Sequence, residues 1–203
     1  MKREVSATSS RRSAGSRPRI LAGRWKGRSL QVPRDARPTS GRAREALFDV
    51  LQDSIPESRV LDLFAGSGAV GLEALSRGAS ATVFVEKDSR ALERNLATLG
   101  AHRGEFEVVR EDVRAAAGAL ARRGDRFDLV FADPPYALKT ALVRPIASLL
   151  APGGRFVVQT DSEAAPPELP GLALEKRRAY GRNVFWFFER ARLEPLPPSR
   201  PGW

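Results

Sequence analysis

The sequence predicts an α/β chain built on a Rossmann-like, doubly wound sheet. That sheet is mainly parallel, ends in an antiparallel C-terminal hairpin strand, and carries a small N-terminal β-hairpin and helix extension. Three observations lead to this. Between about residues 59 and 160, five short apolar runs alternate with stretches whose apolar residues have helical spacing, and such alternation builds a parallel sheet. A glycine-rich segment, residues 60–71, joins the first run to its helix. Beyond Asp161 the alternation stops, and two strand-like runs around Tyr180-Gly181-Arg182 read as a hairpin.

Residues 1–17 are rich in Ser, Arg and Ala with almost nothing to bury, which predicts a disordered basic tail. From Pro18 apolar residues return. Arg19–Ala22 and Arg28–Val32 are short strand candidates on either side of a hairpin connection, with Trp25 at its tip between Arg24 and Lys26. Thr39 or Ser40 can cap a following helix whose buried stripe is Ala46, Leu47, Val50 and Leu51, leaving Arg42, Arg44 and Glu45 on other faces. Residues 18–54 thus read as an extension and residues 55–190 as the main domain.

Within that domain Arg59–Phe64 is the opening strand, followed by a helix from about Ala69 to Arg77. Ala81–Glu86 is the second strand, and Asp88 caps a helix to Leu99 with Leu92, Leu96 and Leu99 on one face. Glu105–Arg110 is the third strand, followed by an Ala-rich helix to Arg123. Phe127–Ala132 is the fourth, and Leu138–Leu150 a helix kinked at Pro145. Gly154–Thr160 is the fifth. After a Pro-rich connection, Leu172–Arg178 and Asn183–Glu189 are strands; Val184–Phe188 is almost continuously apolar, as a strand buried on both faces requires. Residues 191–203 form a Pro-rich tail.

At 203 residues and 42% hydrophobic, the chain can fill one core, so one main domain is expected. With no cysteine and the single His102, disulfides and thiolate or histidine metal clusters are excluded, and no metal is expected. No apolar run approaches the length of a membrane span or a secretory signal, so a cytoplasmic protein is expected. The net charge of +10 is uneven. Residues 1–44 hold 13 Lys or Arg against Glu4 and Asp35, while the other 21 basic and 22 acidic residues nearly cancel. A basic block suits a polyphosphate partner, because each neutralised phosphate releases counterions; it also suits a solubilising tail, the better description of residues 1–17. Trp25 can stack on an unpaired base while Arg24, Lys26 and Arg28 hold phosphates, or it can cover a patch of the main domain.

Ligands of open α/β sheets bind outside the carboxyl ends of the strands. Four acids stand there: Asp62, Glu86, Asp112 and Asp133. Gly66, Gly68 and Gly71 allow a tight turn that approaches a ligand closely, a spacing that by itself fits a dinucleotide oxidoreductase equally well. Glu86 lies 20 residues after Gly66, the separation of a carboxylate that accepts ribose hydroxyls. Asp112 can accept from an adenine amino group or cap the next helix, and Asp62 can face a cationic ammonium group where a dinucleotide would bring pyrophosphate.

In Asp133-Pro134-Pro135-Tyr136 two prolines fix the backbone. They leave the Asp133 carboxylate and the Pro134 carbonyl as rigid acceptors, with the Tyr136 ring placed to stack on a base. Such a constellation grips a planar amine. An exocyclic base amine is a poor nucleophile because its lone pair is delocalised; two acceptors draw it toward a tetrahedral geometry and aim the lone pair at a methyl donor.

Asp62-Leu63-Phe64-Ala65-Gly66-Ser67-Gly68 together with Asp133-Pro134-Pro135-Tyr136 resembles class I S-adenosylmethionine-dependent methyltransferases that act on exocyclic amines. Two earlier stretches, Arg19–Leu30 (with Gly23-Arg24-Trp25-Lys26-Gly27) and Arg37-Pro38-Thr39-Ser40-Gly41-Arg42, resemble the bacterial RsmD family, which methylates N2 of a guanine in 16S ribosomal RNA. The resemblance covers roughly residues 18–190. It implies that Asp62, Phe64, Ala65, Gly66, Ser67, Gly68, Glu86, Lys87, Asp112, Val113 and Asp133 surround the cofactor, and that Asp133 to Tyr136 hold the guanine. The candidate RNA contacts are Arg24, Trp25, Lys26, Arg28, Arg37, Thr39 and Arg42. The implied partner is 16S ribosomal RNA, within a small-subunit assembly particle, acted on by a monomer. Three other readings remain open: an N6-adenine methyltransferase, a nicotinamide-dependent oxidoreductase, and a non-catalytic RNA-binding or assembly protein.

Overall fold

The structure, a computed structural model, describes residues 17–33, 41–134, 140–162 and 165–190, with the side chains of 140–144 left aside. Arg37, Thr39, Pro135, Tyr136, both candidate N-caps and the two tails apart from Arg17 lie outside the described residues. Seven strands form one sheet: β1 (Arg59–Leu63), β2 (Ala81–Val85), β3 (Phe106–Val109), β4 (Phe127–Ala132), β5 (Leu150–Asp161), β6 (Leu172–Tyr180) and β7 (Asn183–Arg190). Their order is β3-β2-β1-β4-β5-β7-β6. The first five are mutually parallel, and β7 lies antiparallel between β5 and β6. The helices are α1 (Gly41–Leu51), α2 (Ala69–Ser76), α3 (Arg90–Leu99), α4 (Val113–Arg123) and α5 (Thr140–Leu149).

Alternation along the strands explains the double winding. Val60, Phe84, Leu129 and Phe131 point into a cluster with Leu72 of α2 and Leu92 of α3. Leu61, Val83, Val85 and Val130 point the other way, against Leu120 of α4 and Ile146 of α5. After β3 the chain returns to the far side of β1 and lays down β4, so the winding reverses between β1 and β4. A crevice at the carboxyl edge opens at such a reversal. Val184–Phe188 of β7 is buried throughout, with Phe185 and Phe187 in one cluster and Val184, Trp186 and Phe188 in the other.

The N-terminal hairpin is less regular than its strand patterns imply, with one antiparallel bridge, Arg19 to Ser29. Its backbone also bonds to α2. All eight residues of α2 are buried, because the sheet covers one side of the helix and the N-terminal segment the other. The Glu73 carboxylate accepts from the Leu21 and Ala22 amides at 2.7 and 3.0 Å, and the Ser76 carbonyl accepts from the Arg24 amide at 2.8 Å. Gly23, at φ +78°, runs so close to the end of α2 that a Cβ there would lie 1.7 Å from the Ser76 oxygen.

Two further expectations are corrected. Arg44 does not face solvent: it is 0% exposed, lies 4.0 Å from the buried Glu73 carboxylate, and donates to the Arg19 carbonyl. Burial pulls its guanidinium pKa down while Glu73 opposes that shift. Helical periodicity placed a charged residue outward because Glu73, which makes its burial tolerable, is remote in sequence. The helix after β2 starts one residue later than expected, with Ser89 at the N-cap; Asp88 is engaged by the Arg90 guanidinium, which holds its carboxyl down at about 2.

Candidate active site

β1 ends at Leu63 and the chain turns sharply through Phe64, Gly66 and Gly68, all in the left-handed region at φ 60°, 55° and 78°. For Phe64 that conformation costs on the order of 1–3 kcal/mol, strain of the kind that gathers at ligand clamps. Gly71 serves packing: a Cβ there would lie 2.3 Å from the Phe84 ring. Asp62 lies beneath the turn, 2% exposed, with Oδ2 accepting from the Gly71 amide at 2.9 Å. Burial pushes its carboxyl up to about 7 against the pull of that amide, and the negative charges of Asp133 and Glu86 add to the rise. One oxygen of the Asp62 carboxylate is thus turned inward, where it brackets the start of α2.

Beside the turn is a cavity of about 440 Å³, within the range of small-molecule sites (roughly 300–1,000 Å³). Of the expected cofactor residues, Phe64, Glu86, Lys87, Asp112, Val113 and Asp133 line it; Val85 and Glu111, which no motif singled out, complete the wall. Ala65, Gly66, Ser67 and Gly68 form the turn at its side. Glu86 is oriented by two amides, Gly66 N–H to Oε2 at 2.8 Å and Asp88 N–H to Oε1 at 3.0 Å. Each oxygen keeps a lone pair for a hydroxyl, so this donor set fits a ribose. Phe64, Val85 and Val113 supply an apolar wall suited to a planar ring. Asp112 adopts the capping alternative: Oδ1 accepts from the Arg114 amide at 2.9 Å, and Oδ2 pairs with Lys87 at 3.0 Å, holding its carboxyl below the usual range.

Asp133 leaves β4 on the opposite side of the reversal. The Gln159 amide nitrogen on β5 donates to Asp133 Oδ2 and to Asn183 Oδ1 at the start of β7, both at 3.2 Å. Sequence reasoning missed Gln159 and Asn183. Gln159 had a signal: it directly follows the apolar run Phe156–Val158 in the same strand, and a buried amide there needs partners. Among the described residues no group of three His, Cys, Asp or Glu side chains could hold a metal ion.

The family model described as conserved hypothetical protein 95 matches residues 18–189. Ribosomal RNA small subunit methyltransferase D of Escherichia coli K12 is 36% identical over 190 residues, covering 88% of this chain and 92% of that one. The chain belongs to the RsmD family. Two solved structures agree in fold, each with a TM-score of 0.73. One, provisionally assigned as an Escherichia coli methyltransferase, is 37% identical over 85% of this chain and 97% of its own. The other, a hypothetical protein of Thermus thermophilus, is 40% identical over 84% and 98%.

In this RsmD-family member the candidate RNA contacts divide. Trp25 is 8% exposed, its amide donates to Ser76 Oγ at 3.0 Å, and the Arg24 guanidinium lies 4.0 Å over its ring. Of its two readings the structure favours the covering one, since both sides of the indole are occupied. Arg24 makes a two-pronged pair with Glu105 at 2.8 and 2.6 Å, and Arg28 donates to the Thr98 carbonyl at 2.8 Å. Lys26 and Arg42 are exposed. The segment is also tied to the glycine turn. Asn95, 2% exposed on α3, donates to the Gln31 and Ser67 carbonyls at 2.9 Å each and accepts from the Gln31 amide at 2.8 Å.

Proposed function

We propose that the protein transfers the methyl group of S-adenosylmethionine to the exocyclic N2 amine of a guanine in small-subunit ribosomal RNA. The observation that carries this reading is Asp133, held by Gln159 at the end of β4, on the wall of a cavity that also holds an amide-oriented Glu86. The Escherichia coli relative is by name a small-subunit ribosomal RNA methyltransferase, which supports the substrate class.

S-adenosylmethionine supplies an electrophilic methyl group when bound. Glu86 would accept its ribose hydroxyls, the backbone at Gly66 and Gly68 would approach it without side-chain obstruction, and Phe64, Val85 and Val113 would flank its adenine. Asp112, already engaged by Lys87 and Arg114, shapes the rim. The Asp133 carboxylate and the Pro134 carbonyl accept the two hydrogens of the guanine amine, with Pro135 and Tyr136 completing the grip. With the cofactor bound, the methyl carbon would leave the sulfonium sulfur, which keeps the bonding pair as a neutral thioether, and bond to the amine nitrogen, which would shed one proton to water. Holding two reactants in register is a class of effect worth up to roughly 7–11 kcal/mol. The guanine must leave its stack to reach Asp133. Residues 18–54 act as an RNA-contacting extension of the domain at 55–190, through Lys26, Arg42 and the intervening Arg37 and Thr39. The enzyme works as a cytoplasmic monomer on a small-subunit assembly particle; none of the described helices is long and apolar enough to cross a membrane.

The test is labelled methyl transfer to unmodified small subunits and to protein-free RNA. Asp133→Ala is expected to abolish transfer while leaving cofactor binding largely intact by calorimetry. Normal turnover in that variant sinks the assignment. Mass analysis of the product nucleoside should find N2-methylguanosine; N6-methyladenosine instead would move the substrate to adenine.

A further inference from the structure

Outside the cofactor cavity, the exposed cations of the C-terminal hairpin are the strongest unassigned feature. Beyond residue 44 the chain is almost neutral, yet β6 and its turn carry Lys176, Arg177, Arg178 and Arg182 within seven residues. Two of these are otherwise engaged. Lys176 pairs with Glu175 at 3.3 Å, and Arg177 lies 5.3 Å over the Trp186 ring on the sheet face that packs against α5. Arg178 and Arg182 are exposed and have no carboxylate partner among the described residues; the one bond found for Arg178 is to the Arg177 carbonyl at 3.2 Å.

Topology puts both of them beside the reacting amine. β6 runs parallel to β5, so its end at Tyr180 lies at the carboxyl edge of the sheet. There Asn183, the partner of Tyr180 in the ladder, is one amide removed from Asp133 through Gln159. Arg178 pairs with Phe185, which shares a cluster with α1, so it stands on the face that α1 covers. The end of α1 is located by Ser54, just beyond it, which accepts from Arg155 at 3.2 Å while Arg155 pairs with Glu175 at the start of β6. Arg42, exposed at the other end of α1, is about 16 Å away along the helix axis.

We propose that the tip of the β6–β7 hairpin is a second RNA-backbone contact, in which Arg178 and Arg182 bind the phosphates flanking the guanine held at Asp133. This rests on the guanine reading above. An extruded nucleotide keeps its two phosphates, and these must pass close to whatever surrounds its base. Guanidinium groups suit them, being planar, always charged and able to donate in pairs. The competing account is that these cations only protect the open edge of β6 from pairing with other chains.

The experiment is RNA binding by the full chain over a range of salt concentrations, using unmodified small-subunit RNA, alongside cofactor affinity and methyl transfer. In Arg178→Ala/Arg182→Ala the slope of log affinity against log salt should flatten by about 2, roughly one for each lost phosphate contact. The KM for RNA should rise tenfold or more, with the Kd for S-adenosylmethionine unchanged. Arg177→Ala, which removes one charge from the opposite face, should leave the slope as it is, and Arg182→Lys should keep most of it. An unchanged slope in the double variant, or an equal loss in Arg177→Ala, overturns the contact. If the wild-type protein transfers no methyl group to RNA, it is the guanine reading that fails.

Discussion

The N-terminal segment and the C-terminal hairpin are both basic, but they are held in opposite ways. The hairpin is held by backbone: β7 is in register with β5 over seven residue pairs and with β6 over eight. The N-terminal segment has one bridge of its own and is fastened by buried polar side chains that lie 50 or more residues away, Glu73, Ser76 and Asn95. The consequence for charge is the reverse of what counting suggests. Arg24 and Arg44 lie against carboxylates, whereas Arg178 and Arg182, cancelled on paper by acids elsewhere, are exposed with no carboxylate partner among the described residues. A basic run measures charge, not availability.

Breaking the polar fastening should give the largest effect. Glu73→Ala leaves Arg44 buried without its counter-charge and two amides unpaired, and is expected to cost about 3–5 kcal/mol, read as a fall in denaturation midpoint. No single side chain of the hairpin turn should approach that. Next come two glycines in similar backbone conformations. Gly23→Ala drives a Cβ into the Ser76 carbonyl and should cost roughly 2 kcal/mol or more, with faster amide exchange at residues 20–30. Gly181→Ala, at φ +60° with open space around it, should cost about 1 kcal/mol. Equal costs would show that the N-terminal approach is looser than described.

The smallest effect concerns pH and separates two buried acids of the same neighbourhood. Glu73 sits among cations. Asp62 is faced by Asp133 and Glu86, and its carboxyl is raised from an ordinary 3.8 to about 7. The folded chain then keeps a proton that the unfolded chain has released, so this group's contribution is fully present below about pH 4 and is lost as pH rises toward 7. Asp62→Asn should flatten the dependence of thermal midpoint on pH between 4 and 7. A curve identical to the wild type would mean that Asp62 titrates normally.

Most of the fold was legible because strand and helix periods are local properties. The five parallel strands, the switch to an antiparallel ending and the doubly buried run at Val184–Phe188 all follow from residues read a few at a time. The acids at the strand ends were legible for the same reason: a parallel sheet brings its carboxyl ends to one edge whatever the details. Where local rules failed, a distant partner had intervened. Arg44 was placed away from the buried stripe because Glu73 lies 29 residues on, and the two readings of Trp25 stayed open because Ser76 and the all-buried α2 could not be seen. Gln159 passed as strand interior because its two partners come from different strands.

The sequence by itself determined the sheet, its winding and the glycine turn beside the Glu86 carboxylate. It also placed Asp133 at the neighbouring strand end, since each of these is specified within a short stretch of chain. Only the tertiary structure decided which charges remain free. Pairing depends on what arrives across the fold, and a guanidinium already paired with a carboxylate has less charge left for a phosphate.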